Sequence, residues 1–316
     1  MSGIQKSSAL NNEPTMNASD FDKQLLRYVK DFCAPYDEMR KGLEKARVSV
    51  VDKNNHYGKD LPAWPLDTVY VSVDGFMNLY SILYDIPNMT DDLDQLVEDE
   101  VIEKAADVII TTTILCGCLS WDKVRNIVHI NNKQLDDSFL DCPCASLAKL
   151  PQWAICFNTV EQNLLWNERP VAGVIFYRSF ISNDLKEALQ VSSNTANNVL
   201  DGEPEATINN LSTLIIYNDG EIIIGPYIEL CSSGSINSYF NNMSNPLLNN
   251  YDEIAKAADQ FSRKIFKLLA YFLENLDNLK NAKGEKVSFA PNPEPFKTKK
   301  GYRLFGSDRI SSYYLD

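Results

Sequence analysis

The residues that most often perform chemistry in proteins are scarce in this chain, and their spacing matches no catalytic motif. There are two histidines, His56 in a polar loop and His129 in an apolar segment. No Gly-x-Ser-x-Gly elbow surrounds a serine, and no glycine-rich phosphate loop occurs. Scattered carboxylates such as Asp67 and Asp74 leave a metal-dependent nuclease open as a hypothesis, although the sequence marks no third ligand. We therefore predict no catalytic residue and no cofactor.

Cysteine provides the nearest approach to a metal-binding pattern. Two closely spaced pairs, Cys116 with Cys118 and Cys142 with Cys144, lie on either side of His129. Paired zinc ligands are usually separated by two to four residues, so the single intervening residue here is a poor fit. Small buried cysteines are common in apolar segments such as the one around Cys116. We therefore predict no bound metal.

A Leu-Pro-x-Trp phrase occurs twice, at residues 61–64 and 150–153. In both copies proline sets the backbone, a large aromatic residue follows, and an extended apolar segment comes next. Trp64 and Trp153 have two interpretations. Each indole could anchor a strand in the core, or it could be an exposed aromatic anchor in a peptide-binding groove.

The C-terminal segment, residues 291–316, is proline-rich at first and then basic and aromatic. Basic residues interleaved with aromatic residues suit RNA, through phosphate attraction and base stacking. In the other interpretation, the aromatic side chains pack back on the domain. The candidate partner-binding residues of this segment are Lys297, Lys299, Lys300, Tyr302, Arg303 and Phe305.

Composition restricts the class of protein. The chain has 316 residues, 44% of them hydrophobic, which suits a packed globular protein. Its formal net charge of −13 argues against a protein that coats nucleic acid, but it leaves room for a local basic patch. The N-terminus has no signal-peptide pattern, and the apolar stretch Val108–Leu119 is too short to span a bilayer. The odd count of seven cysteines does not resemble a secreted disulfide scaffold. We expect a protein of the bacterial cytoplasm with no membrane partner.

Periodicity predicts helices in the first half of the chain. Apolar residues at helical spacing predict a helix that begins at Ser19 or Asp20 and ends before Pro35. The segment 98–121 is rich in β-branched residues, yet its apolar face persists over several turns and favours a helix. The acidic run at residues 91–103 is typical of a solvated helix; the alternative is a surface that mimics nucleic acid. A short helix is expected at residues 133–140.

The second half predicts a sheet followed by a long helix. Strands are expected at residues 154–160 and 171–180, and Asn218-Asp219-Gly220 predicts a hairpin turn between two further strands. An apolar stripe predicts a helix over residues 251–283 with Gly284 as its C-cap. The predicted fold is α+β: a mostly antiparallel sheet with an N-terminal helical region and a long C-terminal helix packed on it. We predict a disordered tail at 1–18, one domain at 19–290 with a helical half to about 148, and the separate segment 291–316.

Several segments, in this order, resemble the type V-A anti-CRISPR proteins of the class that suppresses production of the CRISPR effector nuclease, together with their uncharacterised phage and plasmid relatives. The matching segments are 121–130, 150–157, 176–177, 219–236, 268–273, 293–296 and 301–306, of which Leu150-Pro151-Gln152-Trp153-Ala154-Ile155-Cys156-Phe157 is the strongest. Two features depart from the family: Phe157-Asn158-Thr159 lacks the acidic residue usual after that strand, and the sequence ends at Asp316 where family members continue into a long basic tail.

The resemblance implies an anti-defence protein of a phage or mobile element. It implies non-catalytic binding of a nascent effector polypeptide, with loss of the effector message and lowered effector expression. The expected partners are the CRISPR effector polypeptide or another host protein, and the ribosome or RNA through the basic C-terminal segment. Two alternatives stay open: a metal-dependent ribonuclease or other hydrolase, and a structural or assembly protein of a mobile element.

Overall fold

A computed structural model of the protein describes residues 17–36, 99–131, 135–151, 154–181, 208–229, 234–243, 253–291, 293, 295–299, 301–304 and 306–316. Several predictions lie outside these residues: the tail at 1–16, most of the acidic run, and both tryptophans of the Leu-Pro-x-Trp phrases. The domain boundaries remain predictions. Among the helices that the structure describes, none has the length and apolar character needed to cross a bilayer.

Helix α1 runs from Ala18 to Cys33 and buries an apolar stripe that includes Phe21 and Leu25. It begins slightly earlier than predicted, because the side chain of Asn17, rather than Ser19 or Asp20, accepts the backbone N–H of Asp20 and caps the first turn. A short 3-10 turn, Ala34–Tyr36, follows. As predicted, the regular helix ends before Pro35, which lacks a backbone N–H.

Helix α2, Asp99–Val124, confirms that the segment rich in β-branched residues is helical. Its second half is buried from Ile114 to Trp121. Tertiary packing on both sides therefore outweighs the modest local preference of Val, Ile and Thr for strands. The helix ends where Arg125 adopts a left-handed conformation, with φ of 48°.

The strands of the main sheet are β1 Asn126–Ile130, β2 Ala154–Asn158, β3 Leu165–Trp166, β4 Arg169–Ile181, β5 Ile208–Tyr217, β6 Ile222–Ile224, β7 Ile228–Glu229 and β10 Ser311–Leu315. Their order in the sheet is β10-β1-β2-β4-β5-β6. β1 is parallel to both β10 and β2, whereas the remaining pairs are antiparallel. β3 pairs with β4 and β7 pairs with β5. The prediction of a mostly antiparallel α+β sheet is confirmed, and the predicted hairpin turn joins β5 to β6 with Gly220 at φ of 94°.

Helices cover both faces of this sheet. On one face α1 and α2 form a core with alternate strand residues such as Ile127, Cys156 and Ile175. On the other face, α3 (Ile236–Met243) and α4 (Glu253–Glu274) pack on the remaining strand residues, such as Phe157 and Phe176. The long helix predicted near the C-terminus is therefore present and packed on the sheet.

Helix α4 is shorter than predicted. It ends at Glu274, and a 3-10 turn, Leu276–Asn278, follows. The side chain of Asn275 donates to the carbonyl oxygen of Tyr271, which offers the backbone an alternative to a further helical turn. Gly284 is not the cap of α4, since it lies ten residues beyond the end of the helix in a separate turn at φ of 79°.

The segment between β1 and β2 and the C-terminal segment also differ from the prediction. The short helix expected at 133–140 is a 3-10 helix, Asp137–Asp141, which the Asp136 side chain caps. The C-terminal segment forms a hairpin of β8 (Pro295–Thr298) and β9 (Gly301–Leu304), and then strand β10 of the main sheet. Tyr313 is buried, so this aromatic residue packs back on the domain.

Candidate functional site

A polar cleft of about 660 Å³ opens where the three parallel strands end. In an open sheet, the carboxyl ends of parallel strands are a common position for ligands, because the chain leaves the sheet there and the loops diverge. The first turn of α1 forms another wall of this cleft. The lining of the cleft includes the side chains of Asp22, Lys23, His129, Asn158, Glu161 and Tyr314.

The Asp22 carboxylate organises the floor of the cleft. One of its oxygens, Oδ2, lies 2.9 Å from Nε2 of His129 and accepts the Ser312 hydroxyl at 3.1 Å. The other oxygen accepts the side-chain amide of Asn158 at 3.0 Å. The three partners belong to β1, β10 and β2, so a single carboxylate joins α1 to all three parallel strands.

Strand alternation places these partners on one face. Val128 and Ile130 point to the core beneath α4, so His129 between them must point toward α1. Ser312 and Tyr314 alternate in the same way with the buried Tyr313 and Leu315. Every polar group of the cluster therefore reaches the α1 side of the sheet.

Close packing brings α1 near enough for this contact. A Cβ atom added to Gly173 in β4 would lie only 2.3 Å from Cζ of Phe21. The ring of Phe21 thus occupies space that only a glycine leaves open. Asp22, the next residue in α1, is then held over the ends of β1 and β2.

An aromatic stack forms one wall of the cleft. The rings of His129 and Tyr314 are parallel to within 10°, with centroids 4.5 Å apart. Burial, and to a smaller extent the negative charge of Asp22, raise the pKa of the Tyr314 phenol. The same two causes raise the pKa of the buried Cys156 thiol.

The geometry differs from that of a nucleophilic catalytic relay. In a Ser–His–Asp triad the serine hydroxyl bonds to the histidine, which can then accept its proton. Here the Ser312 hydroxyl donates to Asp22, and His129 bonds to the same carboxylate. Ser312 is therefore arranged to hold β10 in place rather than to attack a substrate.

The hypothetical zinc cluster is not assembled. Cys116 and Cys118 belong to the core under α1 and α2, whereas Cys142 and Cys144 belong to the core on the opposite face of the sheet. The sheet separates the two pairs, so they cannot share one metal ion. Within the described residues no group of three or more His, Cys, Asp or Glu side chains is placed to hold a metal.

The candidate partner-binding residues are only partly described by the structure. Trp64, Trp153, Lys300 and Phe305 lie outside the described residues. Lys297 in β8 pairs with Tyr302 in β9, and Arg303 pairs with Phe296 in the same hairpin. Lys299, in the turn between the two strands, is exposed. The hairpin thus brings most of the described basic residues of this set together, and their role in binding remains a prediction.

Three residues of this cleft were not predicted from the sequence as site residues: Asp22, Asn158 and Tyr314. Asp22 resembles an ordinary acidic residue in the first turn of a helix, where the helix dipole favours it. Asn158 carried a weak signal, because it is a polar residue at the end of the otherwise apolar strand β2. No local pattern could have connected these residues with Tyr314.

Solved structures, unlike protein-family models and curated proteins, include a protein similar to this chain. No protein-family model matches the chain, and no curated protein matches it. Among solved structures, the crystal structure of the anti-CRISPR protein AcrVA2 is similar, with a TM-score of 0.56 and 12% sequence identity. The similarity covers 95% of this chain and 84% of the AcrVA2 chain. At this identity the comparison shows a shared fold.

Proposed function

We infer that this chain is an anti-CRISPR-like anti-defence protein that lowers expression of a CRISPR effector by binding the effector polypeptide. The observation that carries the proposal is the fold similarity to AcrVA2, which extends over 95% of the chain. Fold alone does not determine function. The proposal therefore also rests on the ordered set of segments that resembles the type V-A anti-CRISPR family.

A binding role without chemistry suits the polar cleft. His129 and Ser312, which could act as base and nucleophile, both bond to Asp22 and so hold α1 against the sheet. The cleft has the size of a small-ligand or side-chain pocket, with a few polar groups and an aromatic wall. Such a cavity can accept a side chain of a bound polypeptide without any reaction.

The decisive experiment uses a bacterium with a type V-A CRISPR system and a plasmid that the system targets. Cells that express this protein should accept the targeted plasmid as readily as an untargeted plasmid, and immunoblots should show less effector protein. A gene with an early stop codon serves as the matched control, because it yields a nearly identical transcript without the protein.

The same strains separate lowered expression from direct inhibition. Effector that is purified and assembled with its guide beforehand should cleave DNA normally when the protein is added. Loss of immunity with an unchanged effector level would refute the expression mechanism, and full immunity in the presence of the protein would refute the anti-CRISPR role.

A further inference from the structure

Three buried thiols belong to the core in which α1 packs on α2. Cys33 is the last residue of α1, and Cys116 and Cys118 lie on α2. Cys33 keeps 8% of its surface exposed, whereas Cys118 is fully buried. The polar cleft lies at the other end of α1, so these sulfur atoms are free of any role in it.

One pair of these thiols is in direct contact between the two helices. The Cys118 thiol hydrogen-bonds to Cys33; burial above all, and then this bond, raise the pKa of Cys118. Cys116 and Cys118 are two positions apart on one helix, and side chains with this spacing do not face each other. The contact between helices therefore selects Cys33 as the partner of Cys118.

The two sulfur atoms are close to the geometry of a disulfide. The S–S bond is about 2.05 Å long, so two sulfur atoms in hydrogen-bond contact need to approach by only roughly 2 Å. The last turn of a helix frays more readily than its interior. Cys33, at the end of α1, can therefore make this movement and meet an oxidant from solvent. Cys118, enclosed in the buried half of α2, reacts with the sulfur that touches it.

We propose that Cys33 and Cys118 form a disulfide when the protein meets hydrogen peroxide, and that this bond locks α1 onto α2. In the first step peroxide oxidises the Cys33 thiol to a sulfenic acid, and one water molecule is released. The Cys118 sulfur then attacks the Cys33 sulfur. The S–S bond forms, and the hydroxyl group leaves with the Cys118 proton as a second water molecule. The two thiols together supply the two electrons that reduce the peroxide.

The disulfide would fix the second end of α1. The hydrogen bonds of Asp22 already hold the first turn of the helix on the parallel strands. A bond between Cys33 and Cys118 joins residues that are far apart in the chain, so it restricts the unfolded chain much more than the folded one. The oxidised protein should therefore be more stable than the reduced protein. This lock would operate whether or not the protein binds an effector polypeptide.

The test uses the purified full-length protein, first reduced, then freed of reductant and treated with hydrogen peroxide under native conditions. Mass spectrometry of a non-reduced digest should show a Cys33–Cys118 crosslink as the main intramolecular disulfide. The oxidised protein should melt about 5 °C or more above the reduced protein, and dithiothreitol should reverse the shift. Hydrogen exchange should slow in the last turns of α1.

Two variants establish the order of the steps. In Cys118→Ala, oxidation of Cys33 should stop at the sulfenic acid, which dimedone labels. In Cys33→Ala, the buried Cys118 should form no crosslink and take no label. Cys156→Ala removes another buried thiol of the same core and is the matched control, in which the crosslink should form normally. Circular dichroism verifies that each variant is folded.

The unsubstituted protein decides the proposal even if a variant fails to fold. Absence of the Cys33–Cys118 crosslink after peroxide treatment would overturn it, and so would a main disulfide that involves Cys116. A crosslink that leaves both the melting temperature and the hydrogen exchange of α1 unchanged would refute the lock.

Discussion

The Asp22 carboxylate accepts hydrogen bonds from side chains on three parallel strands, and Asn158 extends this network by donating to the carbonyl oxygen of Ala18 as well. A charge so placed is compensated by hydrogen bonds rather than by bulk water. Removing it would leave His129, Asn158 and Ser312 with unmade bonds. Asp22 is therefore expected to stabilise the fold strongly while it also shapes the cleft.

We predict that Asp22→Ala lowers the free energy of unfolding by about 2–3 kcal/mol, measured by urea denaturation, because three donors lose their acceptor. Asp31→Ala, on an exposed position of the same helix, is the matched control and should change stability by less than about 0.5 kcal/mol. Equal effects of the two substitutions would show that the hydrogen bonds of Asp22 contribute no specific stability.

A second residue-scale prediction concerns Cys142. Burial, followed by the nearby charges of Glu274 and Cys144, raises its pKa to about 11. A raised thiol pKa leaves less reactive thiolate at neutral pH, so its alkylation at pH 8 should be about 100-fold slower in the native protein than in urea. The native rate should keep rising until pH 11. Mass spectrometry of the alkylated peptide measures both rates, and a native rate that levels off near pH 9 would contradict the shift.

At the scale of elements, the turn between β3 and β4 contains a residue with a strained backbone. β3 and β4 are joined through Asn167 and Glu168, which both have positive φ, at 49° and 62°. This geometry matches the right-handed twist of a hairpin, but only glycine, asparagine and aspartate adopt it readily. Glu168 is therefore strained, whereas Asn167 is suited to its position.

We predict that Glu168→Gly stabilises the protein by about 0.5–1 kcal/mol, because relief of the left-handed strain exceeds the added freedom of the unfolded chain. Asn167→Gly, at the neighbouring position, should be nearly neutral. Thermal denaturation of both variants tests the comparison. Destabilisation by Glu168→Gly would mean that the Glu168 side chain makes a compensating contact.

At the scale of the whole molecule, the two ends of the described chain meet. Ser312 in β10 bonds to Asp22 in α1, although the residues are 290 positions apart. Beyond Ser312, the side chains of Tyr313 and Leu315 enter the core under α4, and Lys280 pairs with Tyr314 on the outer edge of β10. The C-terminal strand thus completes both a core and the polar cleft.

Leu315→Ala should accordingly destabilise the protein by about 2–4 kcal/mol, since Leu315 is 2% exposed and its truncation leaves a cavity. Hydrogen exchange should also accelerate in β1, the parallel partner of β10. Ser311→Ala, at the half-buried start of the same strand, is the control and should leave both measurements nearly unchanged. An unperturbed β1 in the Leu315 variant would indicate that β10 is dispensable for this edge of the sheet.

Much of the fold could be predicted because its signals are local. The apolar stripe of α4 follows from residue spacing, and the β5–β6 turn follows from Asn218-Asp219-Gly220, whose residues tolerate the required backbone angles. The errors are also local. The start of α1 and the end of α4 were misplaced because these boundaries depend on individual side-chain hydrogen bonds at Asn17 and Asn275, which compete with neighbouring alternatives.

By itself, the sequence determined the fold class, the main helices and strands, and the absence of a recognised catalytic motif. Tertiary structure alone decided that β10 pairs in parallel with β1, and that Asp22, His129 and Tyr314 form one cleft. The physical reason is distance along the chain. Periodicity and turn chemistry act within a few residues, whereas these contacts join residues more than a hundred positions apart. The pairing of β10 with β1 and the packing of α1 on Gly173 bring them together.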